Sequence, residues 1–114
     1  MDQKYHLFYE LAYNLAQVAY DQDEVPVGAV IIKDSTSEVI SSSYNQMKQN
    51  HSSIDHAEVQ ALKIAMTRLD NERLNGCSMI TTLEPCPMCA QAVSFARLSS
   101  IIFSAEDKKS GGVL

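Results

Sequence analysis

The segment Val25-Pro-Val-Gly-Ala-Val-Ile-Ile-Lys33 constrains the fold more than any other stretch of the chain. It is a nearly continuous β-branched run, far below the roughly 18 apolar residues of a membrane span. A strand of this kind is buried on both faces, so it needs a sheet covered on each side. Pro26 stands near its start, where a missing N–H is tolerated, and Gly28 marks a close backbone approach. The other elements group around it. Residues 3–20 predict an amphipathic helix, because Phe8, Leu11/Ala12, Leu15 and Val18/Ala19 recur at helical spacing. Residues 33–38 predict a hairpin turn, and Val39 to Asn45 a more polar strand at a sheet edge. After a polar loop, a second helix is expected from Asp55 to about Leu69, with Ala57, Ala61, Leu62, Ala65, Met66 and Leu69 as its apolar stripe. Cys77 to Leu83 reads as a third strand. Pro85 opens a third helix that runs to about Arg97, and Ser100 to Ser104 is a fourth strand. Residues 107–112 form a charged tail containing glycine. The order α-β-β-α-β-α-β predicts an α/β fold, a mixed sheet with helices on its faces. Helical crossovers make the later strands parallel, with right-handed connections.

With 114 residues the chain is expected to form one domain, 1–114, with no room for an appended binding module. No membrane span and no signal peptide are expected, since Met1 to Glu10 has no basic stretch leading into an apolar one. The net charge is −5. That balance argues against a protein built mainly for phosphate contacts, although a small local basic patch stays open. The cysteines are Cys77, Cys86 and Cys89. An odd count with one Cys-x-x-Cys pair points to a reducing compartment, hence a cytoplasmic protein, in which such a pair binds metal or does redox work.

Two short segments carry chemistry: His56-Ala57-Glu58 and Pro85-Cys86-Pro87-Met88-Cys89, each at the start of a predicted helix. Cysteines three apart place both sulfurs on one face of a first turn. A helix N-terminus lowers thiol pKa and so favours the thiolates a metal needs. With His56 they make three ligands suited to zinc, and three ligands leave the fourth tetrahedral position open for water, the arrangement of catalytic sites. Glu58, two residues past His56, is placed to move protons beside the metal rather than to bind it.

Other readings stand beside this one. Asp55-x-x-Glu58 matches a capping box, so Glu58 could cap its helix. Cys-x-x-Cys at a helix start also suits a thioredoxin-like redox site, although His56 and Glu58 are then unexplained. Cys77 as a fourth ligand would make a closed structural site, but it lies near the start of its strand, at the far end from the metal. His6 reads as solvent-facing and His51 as a polar loop residue. Met47, Met66, Met79 and Met88 read as packing residues.

The conjunction of His-x-Glu with Pro-Cys-x-x-Cys resembles the signature of the zinc deaminases of nucleobases. Across almost its whole length the chain resembles the cytidine deaminase-like family, and within it the bacterial tRNA adenosine deaminases. Glu24 to Val30 is similar to that subgroup's first-strand motif. Thr82-Leu-Glu-Pro-Cys-Pro-Met-Cys-Ala90, Phe95-Ala-Arg97 and residues 105–112 resemble its later segments. The resemblance implies a three-layer α/β/α cytidine deaminase-like fold, one Zn²⁺ per subunit on His56, Cys86 and Cys89, and Glu58 as the catalytic proton carrier. It implies substrate contacts from Asn45, Ala57, Glu84 and Pro85, with Asn45 meeting the purine edge and the Ala57 N–H polarising the base. It further implies a homodimer, and a chain lacking the C-terminal strand and helix of its relatives. Asp55 and Gln91 depart from the subgroup, which has small residues there; Asp55 adds negative charge near the mouth of the site.

The activity so implied is zinc-dependent hydrolytic deamination of adenosine to inosine at the wobble position of a tRNA anticodon loop. The enzymatic alternative is a deaminase of a free nucleobase or nucleotide (guanine, cytosine or dCMP), which the acidic balance favours mildly. The alternative from another class is a zinc-stabilised interaction module, with four protein ligands and no role for Glu58.

Overall fold

Gly28 sets the distance between the first helix and the sheet. A Cβ there would collide with the carbonyl oxygen of Ala12 and lie 2.9 Å from the Ala16 nitrogen. Helix α1 (His6–Asp21) therefore rests directly on strand β1 (Gly28–Lys33), the close approach expected at this glycine. The face it presents corrects the sequence expectation. Ala12, Ala16 and Ala19 are fully packed, while Phe8, Leu11 and Leu15 are only half-buried beside them and Val18 is exposed. At so short a separation only small side chains fit along the contact line, and the large ones splay to its sides.

The computed structural model describes residues 5–103. The expected helix start at Gln3 and Lys4, the end of the last strand at Ser104, and the tail motif lie outside the described residues. The remaining elements are β2 (Glu38–Tyr44), α2 (Ala57–Leu69), β3 (Cys77–Thr81), α3 (Pro87–Ala96) and β4 (Ser100–Phe103). The sheet order is β2-β1-β3-β4. β1 is antiparallel to both neighbours, and β3 and β4 are parallel. β2 is an edge strand, as its polarity predicts, and carries a bulge: Ile31 pairs with Ser41 but Ile32 with Val39, so Ile40 is extra.

The alternation of β1 explains its composition. Ala29 and Ile31 join a core with Ala57, Ala61, Leu62 and Ala65 of α2 and with Val93 and Ala96 of α3. Val30 and Ile32 join a second core with Ile80 and Ala12 beneath α1. The three layers are thus α1, the sheet, and α2 with α3.

Several boundaries differ from the expected ones. β1 begins at Gly28 rather than Val25, because Val27 N–H donates to the Val25 carbonyl in a tight turn. β3 ends at Thr81 rather than Leu83, because the Thr81 hydroxyl bonds both the carbonyl and the N–H of Leu83 and turns the chain. The stripe of α2 ends at Met66, since Leu69 is exposed. Met88 is exposed too, so it is not a packing residue. α3 is opened by Pro87, not Pro85, and stops at Ala96 with Arg97 in the left-handed region. No helix among the described residues is long and apolar enough to cross a membrane.

Candidate active site

Pro87 decides the geometry of the first cysteine. A residue before proline is pushed out of the helical region. Cys86 accordingly takes φ −68 and ψ 169 and becomes the N-cap of α3. His56 holds the same place on α2, with φ −69 and ψ 153. Neither side chain makes a capping hydrogen bond. Both point instead toward a shared spot, joined by Cys89 from the first turn of α3. His56 Nδ1 lies 3.4 Å from Cys89 Sγ and 3.7 Å from Cys86 Sγ, and the sulfurs are 3.6 Å apart.

These separations can be checked against a metal. Zinc bond lengths of about 2.3 Å to sulfur and 2.0–2.1 Å to nitrogen, at tetrahedral angles, give edges of roughly 3.8 Å for S–S and 3.6 Å for N–S. The observed edges match. His56, Cys86 and Cys89 are also the one group of three metal-ligating side chains among the described residues. Ligation through Nδ1 requires the tautomer with its proton on Nε2.

Glu58 lies in the first turn of α2, only 4% exposed, and its Oε1 has no hydrogen-bond partner among the described residues. Burial raises the pKa of its carboxyl, against partial relief from its own backbone N–H and the Cys89 thiol. Burial, then the charges of Glu58 and Cys86, push the Cys89 thiol well up. Burial and like charge thus act on this thiol against the helix N-terminus. A cation among the three donors would offset the cost of these buried negative charges, so the residues fit zinc.

Asn45 is 3% exposed and its Oδ1 accepts the N–H of Ala57 at 2.7 Å. A backbone N–H only donates, so the amide orientation is determined, leaving Nδ2 as a donor. The Ala57 N–H is thereby engaged by Asn45. Glu84 and Pro85 are buried in the turn between β3 and α3. Asp55 stands outside α2; its carboxylate accepts from the Asn50 amide at 2.8 Å and the Ser52 hydroxyl at 3.1 Å. The capping-box reading therefore fails: His56 is the N-cap, and Asp55 holds the loop. Cys77 is packed in the core and pairs with Lys33, at the opposite end of β3 from Thr81. His6 is exposed and meets Glu10, and His51 is exposed in the loop.

One residue of the site's surroundings enters the sequence reading only as the start of the first-strand motif, with no role attached to it. Glu24, 5% exposed, accepts the backbone N–H groups of Lys48 at 3.1 Å and Gln49 at 2.8 Å. Its sequence signal is its place in that motif, directly before the apolar run.

Residues 2–105 match the family described as the cytidine and deoxycytidylate deaminase zinc-binding region. The chain belongs to this family of zinc-binding deaminases, and zinc is its cofactor. Within the family it is similar to the tRNA-specific adenosine deaminase of Aquifex aeolicus, 43% identical over 107 residues that cover 94% of this chain and 70% of the relative. Among solved structures it is similar to one from work on A-to-I editing by tRNA:A34 deaminases at the wobble position of transfer RNA. The TM-score is 0.91 at 42% identity, covering 95% of this chain and 77% of the other. Guanine deaminase from Bacillus subtilis follows, with a TM-score of 0.83 at 33% identity, covering 93% and 66%.

Proposed function

We propose that this protein converts adenosine to inosine by hydrolysis at the wobble position of a tRNA anticodon loop. The observation that carries the chemistry is a buried, unpartnered carboxylate oxygen beside three donors at zinc-ligand spacing. The similarity to tRNA-specific adenosine deaminases supports the substrate.

His56, Cys86 and Cys89 would hold the ion. When bound, zinc supplies a water whose pKa is lowered toward about 7. Glu58 takes a proton from the attacking water as its oxygen bonds to C6 of the base. It returns protons to the ring nitrogen and to the departing amino group, so that ammonia leaves and a carbonyl remains. Its burial, which raises proton affinity, suits a group that must both take and give a proton. Asn45 presents Nδ2 to an acceptor on the purine edge. A base inside a stack cannot reach this site, which favours a single-stranded loop as substrate.

The reading includes a cytoplasmic homodimer. Phe95, 74% exposed on α3, is a side chain that a partner copy would cover. The test is ammonia release and inosine formation by purified, zinc-loaded protein, with an anticodon stem-loop set against free guanine, cytosine and dCMP. Turnover of the stem-loop alone is expected. Turnover of guanine alone would replace this reading with the small-molecule one, which the likeness to guanine deaminase favours.

A further inference from the structure

The loop of residues 46–55 joins Asn45 to His56, so its shape fixes a substrate residue relative to a metal ligand. It has little regular structure of its own. It is closed at its base by Gln46 N–H to the Asp55 carbonyl at 3.0 Å, and its rim is held by Asp55 through Asn50 and Ser52. Its far side is held from outside by Glu24. That carboxylate is buried, and both of its oxygens are taken by loop backbone: Oε1 by Lys48 N–H and Oε2 by Gln49 N–H. Glu24 is itself anchored, since its own N–H donates to the Ala19 carbonyl at the end of α1. Asn45 is tied to the same corner, its N–H donating to the Val27 carbonyl.

We infer that Glu24 is a positioning residue for the deaminase, a clamp that holds the 46–55 loop so that Asn45 and His56 keep their mutual register when the base enters. A buried carboxylate with two backbone N–H donors is a demanding arrangement. Replacing either oxygen by an amide NH₂ sets donor against donor. A residue serving only to fill space would need no charge there. The inference rests on the reading of Asn45 as the base-meeting donor.

The test uses the zinc-loaded full chain and its variants Glu24→Gln, Glu24→Ala and Glu24→Asp. It measures KM and kcat on whichever of the stem-loop or free base the wild type turns over, zinc per chain, and amide hydrogen exchange at Lys48 and Gln49. For Glu24→Gln the expected result is about tenfold faster exchange at both amides and about a tenfold rise in KM, at nearly unchanged kcat and full zinc. Glu24→Ala should behave alike, and Glu24→Asp should recover part of the KM. Fast exchange with a wild-type KM would overturn the positioning role. Parallel loss of zinc, kcat and KM in all three variants would also overturn it, making Glu24 a support of the whole fold. A wild type inactive on RNA but active on a free base sinks the proposed substrate and leaves the clamp to be judged on that base.

Discussion

Asn45 is asked to do two things, and two substitutions separate them. Its Oδ1 satisfies the Ala57 N–H, one of the orphan donors of a helix start, in a buried position. Its Nδ2 is the donor proposed for the base. Asn45→Ala removes both. The buried N–H then loses its partner, at about 1–3 kcal/mol, and Tm falls by roughly 3–6 °C per kcal/mol for a chain of this length. Asn45→Asp keeps an acceptor against the same N–H, now a charge-assisted one at a helix N-terminus, and deletes only the donor. Its Tm should therefore remain nearer the wild type than that of Asn45→Ala. Both variants should lose kcat/KM on the anticodon stem-loop by about 10- to 100-fold, the weight of one hydrogen bond to a buried polar edge. The assays are thermal melts of zinc-loaded protein and initial rates of inosine formation. An Asn45→Asp protein that deaminates at the wild-type rate would refute the donor role. An Asn45→Ala protein with unchanged Tm would refute the structural one.

Three further outcomes are expected. Glu58→Gln should keep full zinc while turnover falls by at least about 10²-fold, since proton transfer is removed and ligation is not; retained turnover would unseat Glu58 as the proton carrier. Gly28→Ala should cost about 3 kcal/mol in a denaturant melt, because its Cβ meets backbone of α1 that cannot rotate away. Chelating the metal should leave a protein whose Tm falls as pH rises above 4.5. Burial holds the folded-state pKa of Glu58 above that value, so from there up to the raised pKa the folded state binds more protons than the unfolded one. In metal-free Glu58→Gln this fall should be lost; a fall unchanged by the substitution would mean that Glu58 is not desolvated.

The ligand set was legible because its signal is local: cysteines one turn apart, a proline to fix the first of them, and a histidine at another helix start. The central strand was legible because β-branched residues filled both of its faces. What escaped reading depends on distances between elements. The contact face of α1 inverts the usual preference for large apolar residues because a glycine 12 to 16 residues further along the chain admits the helix so closely. The choice between Pro85 and Pro87 turned on where β3 ended, which Thr81 decides by bonding its own turn. The role of Glu24 was illegible for another reason: its partners are backbone N–H groups, which leave no trace in side-chain identity. The engagement of the Ala57 N–H by Asn45 is likewise a bond between residues twelve apart that no spacing rule announces.

The α2 side chains that reach over β2 have a bearing on how the sheet can be extended. Arg68 donates to the carbonyls of Val39 and Ile40 at the bulge, and Gln60 donates to the carbonyl of Tyr44. Acceptors near both ends of that edge are thereby occupied by the protein's own helix. Strand addition, whether by a peptide or during misassembly at high concentration, is thus discouraged beside β2.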